Sequence, residues 1–187
     1  MLKHELRALF LQKRATLSDL EKSQLCDKIY ALFHLSIPDR VKTVHCYLPI
    51  HAKNEIDTWP IIRKMWEENI AVTVPIMHPE DLKLNSMLII EDTPLKENAW
   101  GVTEPLFSKE VDESSIDAII LPLLAFDTFG NRIGYGKGYY DAYLKTLKKD
   151  VLKIGMSFFP PIDKKINVDS WDVPMDYCIT PDRVFKF

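Results

Sequence analysis

Ile116-Asp117-Ala118-Ile119-Ile120-Leu121-Pro122-Leu123-Leu124 is almost wholly apolar, and Phe129-Gly130-Asn131 carries the chain on into Arg132-Ile133-Gly134-Tyr135-Gly136-Lys137-Gly138-Tyr139-Tyr140-Asp141. The apolar run predicts a strand buried on both faces, as at the centre of a parallel sheet. The glycine segment then opens a helix, predicted over about Tyr139 to Lys149. Four of the chain's 6 glycines fall between positions 130 and 138. Gly134, Gly136 and Gly138, at alternate positions, let the backbone approach a ligand closely. Successive N–H groups there can form an anion-binding nest, and a helix start adds its dipole. Arg132 and Lys137 supply positive charge, and Asp141, in the first helical turn, can hold a divalent cation against phosphate oxygens. The spacing is neither a Walker A loop nor a Gly-x-Gly-x-x-Gly fingerprint. A glycine-rich turn that binds nothing is the plain alternative, but Lys, Arg and Asp among three alternating glycines call for more.

Outward from this unit the pattern alternates. Leu2, Leu6, Leu9, Phe10 and Lys13 suit an amphipathic helix. Ser18 to Glu21 forms a capping box, and the helix it opens continues through Leu25, Ile29, Leu32 and Phe33 and stops before Pro38. Val41 to Leu48 reads as a strand and His51 to Asp57 as a polar loop. A helix from about Thr58 carries Pro60 in its first turn and turns Ile61, Ile62, Met65 and Trp66 inward. Ile70 to Pro75 and Leu84 to Ile90 read as strands, and Glu91 to Ser115 is the least patterned stretch. Val151 to Phe158 and Tyr177 to Thr180 complete the predicted strands. Strands alternating with helices imply an α/β fold with a mostly parallel sheet, and ligands in such sheets gather at the carboxyl ends of the strands.

The chain has 187 residues, which favours one domain, 1–187. With 24 Lys and Arg against 27 Asp and Glu, the net charge of -3 disfavours a nucleic-acid partner. No apolar run is long enough to span a membrane. Residues 1–14 mix charged and apolar side chains, unlike a secretory leader. Cys26, Cys46 and Cys178 stand far apart, which suggests free thiols and a cytoplasmic protein. His45, Cys46 and His51 make no complete zinc set, since His45 and Cys46 point to opposite faces of a strand.

Leu121-Pro122-Leu123-Leu124-Ala125-Phe126-Asp127 followed by Gly130 to Asp141 resembles the signature of the 5-formyltetrahydrofolate cyclo-ligases, also called methenyltetrahydrofolate synthetases. The resemblance extends over nearly the whole chain. It takes in Lys3 with Leu6-Arg7, Glu55-Ile56-Asp57-Thr58, Trp100-Gly101-Val102-Thr103-Glu104-Pro105, and Asp172 to Asp176. Three features depart from the family pattern: a longer loop before Glu55, Tyr135 where a basic residue often lies, and Trp171 in place of a His.

The resemblance implies a three-layer α/β sandwich of the kind shared with ribose-5-phosphate isomerase and CoA transferases. It also implies an ATP- and Mg-dependent carbon–nitrogen ligase that converts 5-formyltetrahydrofolate to 5,10-methenyltetrahydrofolate, ADP and phosphate through an iminium phosphate. Its partners would be the reduced folate and ATP, with no nucleic acid and no membrane, and a monomer is expected rather than an oligomer. The resemblance brings Lys3 and Arg7 to the nucleotide, and the nest is assigned to its triphosphate, so ATP would meet Lys3, Arg7, Arg132, Gly134, Tyr135, Gly136, Lys137, Gly138, Tyr139 and Tyr140, with Lys137 catalytic. The folate would meet Arg7, Leu48, Glu55, Trp100, Tyr135 and Tyr139, and Mg would meet Asp141 and Asp172.

The residue types suit these roles. Lys3 and Arg7, four apart on a helix, can converge on one anion. Glu55 can accept from a pterin's N–H donors, and Leu48, Trp100, Tyr139 and Tyr140 can wall flat rings. Each has a bland counterpart: a solvated charged face for Lys3 and Arg7, a helix-start acid for Glu55 and Asp141, a turn residue for Asp172, and core packing for Leu48 and Tyr140.

Overall fold

The computed structural model describes residues 2–187. Its centre is a seven-stranded sheet. In chain order the sheet strands are β1 (Thr43–Cys46), β2 (Ala71–His78), β3 (Lys83–Ile89), β6 (Ala118–Leu121), β9 (Leu152–Met156), β10 (Tyr177–Ile179) and β11 (Val184–Lys186). Two small ribbons lie outside it, β4 (Leu95–Glu97) with β5 (Thr103–Pro105), and β7 (Ala125–Phe126) with β8 (Arg132–Ile133). The spatial order is β11-β10-β9-β6-β1-β2-β3, with β10, β9, β6, β1 and β2 mutually parallel and the two edge strands antiparallel.

The expected central strand is β6, and all four of its residues are buried. Its side chains alternate between two cores. Ile120 faces the same side as Val44, Cys46, Val72 and Val74, where α2 (Asp19–His34) and α3 (Trp59–Glu67) pack through Ile29, Phe33, Ile61, Ile62 and Met65. Ile119 and Leu121 face the other side, against Tyr143 and Leu144 of α4 (Tyr139–Leu144). The architecture is therefore an α/β sandwich with helices on both faces of a mostly parallel sheet. Each fully buried Ile or Met contributes about 1.5–3 kcal/mol of transfer free energy. A third cluster seats Leu6 and Phe10 of α1 (Lys3–Ala15) on Leu124, Ala125 and Ile133.

The Ser18 box forms as expected: the Glu21 amide donates to Ser18 Oγ, and the Ser18 amide donates to Glu21 Oε2 at 2.8 Å. Pro75 lies within β2, which runs three residues past its predicted end. The Ala71 amide points to the β1 side, donating to Lys42 O, so the period of two turns the missing N–H of Pro75 the same way. That position lies beyond His45↔Thr73, the last β1 pair, so no ladder bond is lost.

Two expectations fail. The helix after the glycines ends at Leu144 rather than Lys149, because the chain tightens into i→i+3 turns that keep Leu147 buried as it approaches β9. The stretch 91–115, the least patterned in sequence, has structure that no local pattern announces. It carries the β4–β5 hairpin, whose tip is tied by Trp100 and Val102 amides donating to Asn98 Oδ1, and Glu104 anchors it to the sheet by accepting from the Met77 amide at 2.9 Å. Trp66 is only half-buried.

Candidate active site

A cavity of about 800 Å³ opens past the carboxyl ends of β1 and β6, where Tyr47, Leu48 and Pro122 form part of its wall. This is where a parallel sheet places its ligands. Lys3 and Arg7 of α1, Glu55 of the loop after β1, Trp100 of the hairpin, the 132–141 segment, and Asp172 of the C-terminal tail all reach it. Every site residue singled out from the sequence lines this one cavity.

The glycine loop is shaped by what surrounds it. Asp127, fully buried, accepts from the amides of Phe129, Asn131 and Ile166 and from the Asn131 side chain, which fixes the turn leading into β8. Arg132 and Ile133 pair with β7, so the cradle begins at Gly134. Among the described residues, the amides of 134–138 donate no hydrogen bond. Gly136 has φ +90°, and a Cβ there would meet the Arg7 guanidinium carbon at 2.9 Å. Gly136 is therefore required twice, for its backbone angle and for the arginine lying on it. Arg7 Nε donates to Gly134 O at 3.0 Å. Lys137 is exposed in the loop. The expected helix dipole adds little, because α4 has only 6 residues.

Two cations differ from expectation. Arg132 is not an open charge: its side chain is nearly buried, bridges to Asp141 at 2.7 Å and donates to the Val173 carbonyl. Lys3 and Arg7 have different protein partners. Lys3 Nζ lies 2.6 Å from both Asp169 and Asp172. Partial burial works against the Lys3 charge, but the two carboxylates outweigh it and hold its pKa above the ordinary lysine value. Burial likewise works against the Asp172 carboxylate, yet the Lys3 hydrogen bond leads the contacts that keep its pKa low.

Asp141 Oδ2 and Asp172 Oδ1 accept no hydrogen bond among the described residues, and both acids line the cavity. Two such hard oxygens suit a divalent cation completed by phosphate oxygens and water. The described residues hold no group of three or more His, Cys, Asp or Glu arranged as a self-sufficient metal site.

The cavity also has an apolar lining, with Leu48, Met77, Leu84, Trp100 and Val102. Glu55 sits here, accepting from the Ile50 amide at 2.7 Å through Oε2 and from the Tyr135 hydroxyl through Oε1. Burial pushes the Glu55 pKa up, against the pull of those two hydrogen bonds and of the Arg14 and Lys53 charges. Tyr135 therefore joins the glycine loop to the carboxylate.

The sequence profile of the 5-formyltetrahydrofolate cyclo-ligase family matches residues 1–181. The chain belongs to that family. It is an enzyme of the cyclo-ligase type, 33% identical over 180 residues to the 5-formyltetrahydrofolate cyclo-ligase of Mycoplasma genitalium, covering 95% of this chain and 96% of that one. Against the cyclo-ligase of Haemophilus influenzae it is 27% identical, over 92% and 94% of the two chains. Its fold is similar to the solved structure of Aquifex aeolicus 5,10-methenyltetrahydrofolate synthetase, with a TM-score of 0.83, 33% identity and coverage of 100% and 93%. The synthetase of Mycoplasma pneumoniae gives a TM-score of 0.74 at 28% identity, over 97% and 99%.

Sequence reasoning missed Arg14, Lys53 and Asp169. Arg14 had a signal. Positions 3, 7 and 14 fall within about 40° of arc on a helix of 3.6 residues per turn, so Arg14 continues the Lys3–Arg7 stripe. Lys53 lay unremarked in the polar loop, with its ammonium 4.1 Å from the Tyr135 ring centre. Nothing local marked Asp169, which meets Lys3 only through the fold.

Proposed function

We propose that this cavity converts 5-formyltetrahydrofolate to 5,10-methenyltetrahydrofolate while ATP becomes ADP and phosphate. One observation carries the reading. A single cavity joins five amides without a partner among the described residues and a lysine, suited to polyphosphate, to an apolar lining and a buried carboxylate, suited to a pterin. The relatives' names support the folate ring closure, and the open amides and lysine support the nucleotide.

Ring closure needs nitrogen 10 to attack the formyl carbon and the formyl oxygen to leave. Oxide is a poor leaving group. In the proposed sequence the formyl oxygen attacks the terminal phosphorus of ATP and the bond to ADP breaks, giving an iminium phosphate. Nitrogen 10 then adds to the carbon, the carbon–oxygen bond breaks, phosphate departs with the formyl oxygen, and the nitrogen 10 proton passes to solvent.

The protein's part is positioning and charge stabilisation. The 134–138 amides cradle the phosphates, Arg7 braces the loop through Gly134 O, and Lys137 neutralises charge on the group in transfer. Glu55 orients the pterin, and Leu48, Trp100 and Tyr139 flank its rings. Asp141 and Asp172 would hold Mg, which supplies charge neutralisation on the phosphate oxygens. Lys3 keeps Asp172 ionised and in place.

The test is near-ultraviolet absorbance of the purified protein with 5-formyltetrahydrofolate, with and without MgATP. A methenyl chromophore that rises only with MgATP is expected. Folate binding without conversion in the presence of MgATP would reject the reading.

A further inference from the structure

Arg14 does not reach the cavity wall, yet it is 97% enclosed within the fold, its residue being only 3% exposed. Its Nη1 donates to the Tyr135 hydroxyl at 3.1 Å, and its Nη2 donates to the Leu123 carbonyl. A buried guanidinium held by one carbonyl and one phenol is costly to place there, and core packing alone gives no reason for it. Its consequence lies one bond further on. A guanidinium only donates, so Arg14 occupies an acceptor site on the phenol oxygen and leaves the single phenolic hydrogen to go elsewhere. That hydrogen goes to Glu55 Oε1. Glu55 Oε2 is filled by the Ile50 amide. Each carboxylate oxygen thus has one protein donor and retains acceptor capacity for a ligand.

We propose that Arg14 is a positioning residue for folate recognition, fixing the direction of the Tyr135–Glu55 hydrogen bond so that Glu55 meets the pterin as a correctly turned carboxylate. The proposal rests on the folate reading of the cavity. The groups facing Glu55 are Arg14 of α1, Lys53 of the 51–53 turn, Tyr47 after β1, Tyr135 of the glycine loop and Tyr140 of α4. Only Arg14 and Lys53 among them carry charge, since burial keeps the three phenols protonated. Losing Arg14 removes one of two cations and frees the phenol to turn its hydrogen away. The Glu55 carboxyl then takes up a proton more readily, and folate binding fades at a higher pH.

The experiment is a double-mutant cycle of Arg14→Gln and Tyr135→Phe on the full chain, read by steady-state kinetics for each substrate across pH. Each single variant is expected to raise KM for 5-formyltetrahydrofolate by about tenfold, to leave KM for ATP within about twofold, and to move the acid limb of kcat/KM for folate to higher pH. Because Arg14 turns Glu55 through Tyr135, the double variant should have a KM for folate little above that of Tyr135→Phe alone, with its acid limb moved further because the Arg14 charge is lost as well. Additive KM losses, equal losses for ATP and folate, or an unmoved acid limb would each overturn the proposal. Should Arg14→Gln fail to fold, Tyr135→Phe still decides, because an unmoved acid limb there breaks the relay. Wild-type protein that neither binds nor converts folate removes the reading beneath; wild-type turnover with unaltered variants removes this inference alone.

Discussion

At the glycine loop the amides of 134–138 have no partner among the described residues and Lys137 stands exposed, whereas at the Glu55 end both carboxylate oxygens are already met and the phenol that meets one of them is itself held by Arg14. One end of the cavity keeps its donors open for a charged ligand. The other fills its groups in advance so that they point one way. The difference follows from solvent access. An exposed loop can leave amides to water until phosphate replaces it, but a buried carboxylate without donors would take a proton. In the proposed function, charge recognition therefore rests on backbone, and shape-selective recognition on a packed side-chain relay.

The comparison breaks most readily at Lys137. Lys137→Ala should fold normally, because the side chain is exposed, and lose about 10²–10³ in kcat, as does removal of a preorganised contact to developing charge. Thermal melting alongside initial rates separates the two effects.

A polar group buried with no ligand to meet gives the contrast a reference point. His45 lies in the core, its Nδ1 2.6 Å from Ser86 Oγ, and burial pushes its pKa down to about 3. The unfolded chain takes up that proton near an ordinary value of about 6.5. Stability from neutral His45 is therefore complete above about pH 6.5 and declines as pH falls toward 3, by about 3 kcal/mol at pH 4.5. Urea midpoints measured from pH 7 to 4.5 should fall more steeply for the native chain than for His45→Gln.

Gly136→Ala sharpens the backbone side of the comparison. The new Cβ meets Arg7 at 2.9 Å with φ at +90°, so the loop must shift, at a cost of about 1–3 kcal/mol. KM for ATP should rise by about tenfold while KM for folate stays near its starting value. Parallel changes in both constants would mean the two ends are not separate. The smallest effect belongs to Trp100→Ala. This side chain is 61% exposed on the cavity rim, so its loss should raise KM for folate by about threefold to tenfold through lost ring contact. The melting temperature should not move.

Much of this was legible along the chain. The burial of β6 on both faces follows from an unbroken apolar run, and the Ser18 box follows from four adjacent residues. The loop between β6 and α4 announced itself by glycine spacing. The β4–β5 hairpin did not, because it is held by Asn98 and Glu104 reaching across space rather than by an alternating pattern. Arg132 was readable as a cation but not as the partner of Asp141, since a charge nine residues away gives no sign of whether a ribbon folds it back.

By itself the sequence determined the α/β alternation and the alternate glycines that open α4, because periodicity and backbone freedom are local properties of neighbouring residues. Only the tertiary structure decided which charges stay open and which are consumed: Lys3 by Asp169 and Asp172, Arg132 by Asp141, and Arg14 by Tyr135. Hydrogen bonds act over about 3 Å, and residues more than a hundred positions apart in the chain come within that reach only when the helix, the loop and the C-terminal tail pack around one cavity.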